Sequence, residues 1–487
     1  MTLPDHPARS RPGAEAGPPA TRRHGARDSR TRADTADTAG TAGTAGIGSG
    51  LSRRGVLVGG AALLGTAFAA TALSGCATGA TTASGATVEQ LKFWHLLSGG
   101  DGVKMSALVD QANEQNPEFH ATQTVLAWGT PYYTKLAMAS AGGRAPDVAI
   151  MHASRVPGYA PGGLLDAWDV EKLASYGLRE EDFAPAVWKA GFSGDQLYSV
   201  ALDSHPFILL YNTDIAAQAG VLGPDGQLAE ITSPAQFLEV ATAMQAVTGK
   251  HGASWGYLND GAQLWRMFYT FYKQQGADME LREGGTVEYD EEAAVTALEF
   301  MQQMTDGTVM AEASDIQSGI AEFVSGESGM LFTGVWEVPS AAASGIPYDA
   351  SIIPTLFGTP AVYADSHAFV LPRQSTVDET KREDVYKMVS TILKDSISWA
   401  EAGHIPAYGP VVDSSEYADL IPQAHYAEAA EYLNYDPPAW FTGSGSDFQT
   451  YFLDSIQSVI LAKDDAATGM KRFVDRVNTQ LGRPAPV

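Results

Sequence analysis

Two segments carry the residue types best suited to handling a ligand, and they share one pattern. In residues 196–215, QLYSVALDSHPFILLYNTDI, the polar set Asp203, Ser204, His205 and Pro206 separates two apolar runs; in residues 362–371, VYADSHAFVL, Asp365, Ser366 and His367 do the same. A run apolar on both faces belongs in a covered sheet, whereas Asp and His are seldom buried without partners. The first segment is therefore expected to form two short strands, with the chain leaving one core and entering another at the polar break. The second is expected to be the return crossing. Gly403-His404-Ile405-Pro406-Ala407, which interrupts a helical stretch, offers a third. Polar groups on such passages face the cleft between lobes, the commonest place for a small ligand.

Those residue types admit more than one chemistry. Glycoside hydrolysis needs two carboxylates about 5–9.5 Å apart, and Asp203 with Asp101 or Glu337 would supply them. No GxSxG or HExxH motif is present, and the ten histidines are scattered without metal-ligand spacing, which argues against ester hydrolysis, zinc chemistry and metal import. No metal or other cofactor is expected. The single cysteine, Cys76, allows no internal disulfide and no thiolate cage.

The elements that must position these groups follow the order strand, helix, strand, helix, strand. Residues 88–96 read as a strand with Leu91, Phe93 and Trp94, residues 98–102 as a glycine-forced loop, and residues 105–116 as a helix. A strand over 121–127, a helix over 132–141 and a buried strand ending at His152 complete the unit, which predicts a parallel or mixed sheet covered by helices. The glycine loop lacks the Lys-Ser or Lys-Thr ending of a phosphate-binding loop. In the second core Ser233 is expected to cap a helix beginning at Pro234, and Asp290 another over 291–304. Residues 264–274 predict an aromatic helix with Leu264, Phe268, Phe271 and Tyr272 on one stripe; Trp265 falls off that stripe, which favours an exposed role. Strands over 327–337 and 348–354, and helices over 316–324, 385–401, 448–461 and 470–481, complete the chain.

With 487 residues, 45% of them hydrophobic, the chain is long enough for two or three cores. Nine arginines against five acids give the first 75 residues a charge of +4, so the remainder carries −30 of the total −26. No basic stripe is left to neutralise phosphates, which excludes nucleic acid as a partner. Residues 1–50 are poor in bulky apolar side chains and are expected to be disordered. Residues 51–76 combine Arg53-Arg54, an Ala/Gly-rich apolar stretch and Leu73-Ser74-Gly75-Cys76, the parts of a secretory signal. Residues 77–87 read as a flexible tether.

Seven pieces in order carry a family resemblance. Leu73-Ser74-Gly75-Cys76 resembles a bacterial lipobox, and Arg53-Arg54 a twin-arginine export motif. FWHLLSGGDG at 93–102, PDVAIMH at 146–152, VALDSHPFILLYN at 200–212, ESGMLFTGVW at 327–336, DSHAFVLP at 365–372 and AGHIPA at 402–407 together resemble the family 1 extracellular solute-binding proteins, the sugar-binding subunits of ATP-driven importers. The resemblance covers about residues 88–487. It implies an α/β, two-lobed fold like that of maltose-binding protein, with mixed sheets and a multi-strand hinge: one lobe from 88–205 and 362–403, the other from 206–361 and 404–487. It implies a monomer, lipidated at Cys76 and held at the outer face of the membrane, that serves permease subunits of an importer. It places Trp94, His95, Ser98, Asp101, His152, Asp203, His205, Trp336, Ser366 and His367 at the cleft, with Trp265 and Trp440 as further candidates. These types suit a carbohydrate, because indole planes cover the C–H face of a pyranose while Asp and His satisfy its hydroxyls. The chain departs from the maltose-binding pattern at 203–206.

Overall fold

The structure, a computed structural model, describes residues 88–485; the signal segment, the tether and Cys76 lie outside them. Two β-sheets each sit in their own hydrophobic core. The first sheet has six strands, with Phe119–Val125, Glu89–His95, Val148–His152, His367–Pro372 and Leu165–Asp166 side by side and Ser199–Ala201 also joined to His367–Pro372. Its first three strands are parallel and His367–Pro372 runs against its neighbours. The second sheet has seven strands, built on Asp203–Asn212, which is flanked by Ser328–Gly334, Tyr348–Ile352, Val362–Asp365 and Ile405–Pro406. Among the described residues no helix is long and apolar enough to cross a membrane. The fold is mixed α/β and two-lobed.

The element order matches the expectation from periodicity, with three differences of substance. First, residues 203–206 are not a break: Asp203–Asn212 is one ten-residue strand, buried throughout. The interruption falls one residue earlier, at Leu202, whose N–H donates to His367 O at 2.7 Å and whose carbonyl accepts from Ala407 N at 3.0 Å. Asp203 and His205 are tolerated inside the strand because they pair with each other. Secondly, the glycines at 99–102 open the helix Gly99–Gln115 instead of forming a loop before it. The first four N–H groups of a helix have no partner within it in any case, and Asp101 in that turn complements the helix dipole.

Thirdly, the aromatic helix Gly261–Lys273 is buried from Ala262 to Tyr272. It has no exposed face on which an off-stripe residue can sit. Trp265 is wholly buried, edge-on to Phe448 at 4.7 Å and Phe452 at 5.1 Å, both from the helix Asp447–Ile460. The exposed role expected for Trp265 is thereby overturned. The expected caps are present: Ser233 Oγ accepts from Gln236 N at 3.2 Å and Asp290 from Ala293 N at 3.0 Å.

Candidate functional site

The chain passes between the two sheets three times, and each passage delivers a polar side chain to one point. Asp203 and His205 come from the strand Asp203–Asn212, His367 from the start of His367–Pro372, and His404 from the residue before Ile405–Pro406. Asp203 is the hub. Its Oδ1 accepts from His367 N at 2.9 Å and lies 3.0 Å from His205 Nδ1; its Oδ2 lies 2.8 Å from His367 Nδ1 and accepts from Trp399 Nε1 at 2.7 Å. His404 Nδ1 is 3.2 Å from Oδ2 but out of line for a hydrogen bond, while its Nε2 lies 3.1 Å from Asp101 Oδ1. Trp399 stacks on the His404 ring at 4.5 Å. Gly403, at φ +100°, is required here: a Cβ would come within 2.1 Å of Val335 O.

The electrostatics follow from burial and crowding. Burial alone would raise the Asp203 pKa, but the imidazoles of His367, His404 and His205 hold it well below the carboxylate range. Burial, with His367 adjacent, lowers His205 to about 4, and the same two causes hold His152 well below its usual value. For His404 burial is outweighed by Asp101 and Asp203, which raise it. His205 is stacked on His367 at 4.3 Å, and His152 lies 4.9 Å from His367 and 5.3 Å from His205. Tyr133 OH fixes the His152 ring through Nδ1 at 2.6 Å.

In front of this cluster opens a cleft of about 620 Å3 lined from both cores. The first core contributes Ser98, Asp101, Trp128 and His152, from loops and helix starts beyond strand ends; the second contributes Trp336, Glu337, Arg266 and Asp260, with His205 and His367 at the floor. Trp336 follows the strand Ser328–Gly334, and its indole folds back over Gly334, where a Cβ would lie 2.0 Å from the ring. Arg266 lies over the Trp336 face with its guanidinium carbon 4.6 Å from the ring centroid. Among the described residues, arginine ion pairs belong to Arg282, Arg382, Arg472 and Arg476; Arg266, only 7% exposed, has none, and its Nε has no hydrogen bond. His205 Nε2 is likewise buried without a partner. Burial raises the Glu337 carboxyl, partly opposed by a hydrogen bond from Ser340.

Of the residues expected at the cleft, Ser98, Asp101, His152, His205, Trp336 and His367 line it. Asp203 and Ser366 lie behind it, fully buried, with Ser366 Oγ bonded to Tyr435 OH at 2.8 Å. His95 is buried against Gln123 at 3.0 Å, and Trp265 is core. Trp94 borders a surface groove of about 660 Å3 beside Thr130–Ala141, where Lys135 Nζ sits 5.0 Å from its ring centroid; that groove is lined by the first core alone. Trp440 lines a separate hollow of about 360 Å3 with Tyr133 and Arg155. Alternation explains two of these displacements: on the first strand Trp94 and His95 point to opposite faces, and neither face reaches the cleft. Arg266, Asp260 and Trp128 were not anticipated as cleft residues. Trp128, 45% exposed, stands just past a strand end, the one signal that pointed to it.

Residues 107–382, more than half of the chain, match the family model described as bacterial extracellular solute-binding protein. The chain belongs to this family. Among curated relatives, the sn-glycerol-3-phosphate-binding periplasmic protein UgpB of Yersinia pestis is 22% identical over 82% of this chain and 94% of its own length. Among solved structures, the GacH receptor of Streptomyces glaucescens, studied unliganded and with acarbose, superposes with a TM-score of 0.67 at 17% identity, covering 81% of this chain and 98% of that one. UgpB from Mycobacterium tuberculosis, solved with glycerophosphocholine, gives a TM-score of 0.67 at 17% identity over 80% and 98%. At these identities the solved structures establish the shared fold.

Proposed function

We propose that the cleft binds a sugar or oligosaccharide and presents it, closed between the two lobes, to the permease subunits of an ATP-driven importer. The observation that carries this reading is the pairing of Trp336 with hydroxyl-binding groups from both cores, Ser98, Asp101, His205 and Glu337, around one cavity. An indole covers apolar C–H faces, and the convergent acceptors satisfy hydroxyls whose loss would leave a buried group unpaired. Binding groups on both lobes make the ligand prefer the closed form, which is what drives closure. We take residues 88–202 with 367–403 as one lobe and 203–366 with 404–485 as the other, which moves the expected boundaries at 205/206 and 361/362 to where the strands change sheets. Lipidation at Cys76 and the tether 77–87 then hold a monomer at the outer membrane face, where more than one acyl chain gives stable anchoring.

A second reading rests on Arg266. A nearly buried guanidinium with no carboxylate within ion-pair distance, at a cleft wall, suits a ligand carrying phosphate, as the names of the two UgpB relatives also suggest. Differential scanning fluorimetry against neutral oligosaccharides and glycerophosphodiesters, with product analysis on the same samples, separates the readings. Stabilisation by a neutral oligosaccharide supports the first and stabilisation by phosphodiesters alone the second. Turnover of any ligand would overturn both in favour of a hydrolase.

A further inference from the structure

The hub behind the cleft has more claims on its carboxylate than the carboxylate can meet. Five nitrogens converge on Asp203: His205 Nδ1, His367 Nδ1, His367 N, Trp399 Nε1 and His404 Nδ1. An ionised carboxylate offers about four acceptor sites, and His404 Nδ1 is left buried with no hydrogen bond. Orphaned buried nitrogens of this kind are costly unless another partner takes their lone pairs. We propose that Asp203, His205, His367 and His404 bind one divalent transition-metal ion of the zinc type, coordinated by three imidazole Nδ1 atoms and one carboxylate oxygen.

The donor set fits such an ion in number, spacing and support. One ligand atom from each of the four residues lies within 4.8 Å of all the others; Asp203 Oδ2 is 2.8 Å from His367 Nδ1 and 3.2 Å from His404 Nδ1, while His205 Nδ1 lies 3.0 Å from Oδ1. A tetrahedron with bonds of about 2.0–2.1 Å has edges of about 3.3–3.4 Å, so the three rings must draw back from the carboxylate and the His205–His367 stack, at 4.3 Å and 28°, must open for both Nδ1 atoms to face one ion. Coordination through Nδ1 places a proton on Nε2, and for His404 that proton has an acceptor in Asp101 Oδ1 at 3.1 Å. This is the carboxylate–histidine–metal arrangement that orients ligands in known sites. Trp399 Nε1 and His367 N hold the ligating carboxylate in the same way. Asp203 and Asp101 together balance a dication.

The site would tie the three passages between the lobes at one point. It went unread in the sequence because its ligands are 2, 162 and 37 residues apart in chain order from 203 to 205, 367 and 404, with no local spacing to recognise. Cobalt(II) titration of the chelator-treated full chain tests it. The expected result is one equivalent bound with the intense visible absorption of a four-coordinate site, displacement by zinc, and a melting temperature raised by zinc and lowered by chelator. His404→Ala is expected to abolish the absorption. Should that variant fail to fold, Asp101→Ala removes the acceptor behind His404 and is expected to weaken cobalt binding about 10–100-fold. Absence of cobalt absorption in the unsubstituted chain, or binding unchanged in either variant, would overturn the proposal. Neither readout depends on which solute the cleft accepts.

Discussion

The knot behind the cleft and the wall in front of it are built from the same residue types to opposite ends. At the knot, polar atoms are turned on one another: Asp203 gathers His205, His367 and Trp399 within 3.0 Å in a fully buried setting. At the wall, polar atoms are buried and left unmatched, as with Arg266 Nε and His205 Nε2. The same contrast separates two tryptophans. Trp265 is enclosed by Phe448, Phe452 and Phe473, whereas Trp336 is half-buried with one face under Arg266. His404 Nδ1 and Trp265 Nε1 apart, the groups named on the buried side are satisfied and hold the fold, whereas unmatched groups at a cavity await a ligand.

Substitutions on the two sides should therefore fail in different ways. Asp203→Ala leaves buried imidazoles and the Trp399 N–H without their acceptor and is expected to cost roughly 3–5 kcal/mol, the range for breaking a buried charged pair, as measured by denaturant unfolding. Trp265→Ala opens a core cavity and is expected to cost about 3–5 kcal/mol. In that variant, ligand affinity in the surviving folded fraction should change little. If Trp265→Ala instead lost affinity at unchanged stability, the division between knot and wall would be wrong.

Asp436 sharpens the buried side. Burial, then the charge of Asp365, raise its carboxyl to about 7; a hydrogen bond from Tyr363 and the charge of the nearby Arg266 oppose the shift. A carboxyl raised in the folded state contributes stability that is complete below its unfolded value and is lost as pH rises through the folded one. The protein should accordingly lose stability between about pH 4 and pH 7, and Asp436→Asn should remove that part of the loss. Parallel unfolding curves across pH for the two proteins would refute it. On the wall side, Arg266→Gln is expected to weaken an anionic ligand by tenfold or more while changing a neutral one less. Equal losses for both would reduce Arg266 to a support for Trp336.

How much of this was legible depended on whether the signal was local. Caps at Ser233 and Asp290, the strand–helix alternation and the repeated Asp-Ser-His segments are local, and the elements and passages follow from them. Which side of a strand faces the cleft is not: Trp94 and His95 sit in a suggestive motif yet face the flank groove and the core, and Ser366 points away from the opening that its neighbour His367 lines. Arg266 was hidden because a helix buried on every side gives no stripe from which to single out one residue. The histidine knot was hidden for a related reason, since three distant passages meet only when both sheets have formed.

The central claim is that Trp336 and its neighbours clasp the solute. Titration calorimetry of the unsubstituted protein and of Trp336→Ala, using the ligand that most stabilises the protein, tests it directly. The account predicts one site per chain and an affinity at least about tenfold lower in the variant, or some 1.4 kcal/mol, with the melting temperature nearly unchanged. An affinity unaltered by Trp336→Ala would place the ligand elsewhere and contradict the account.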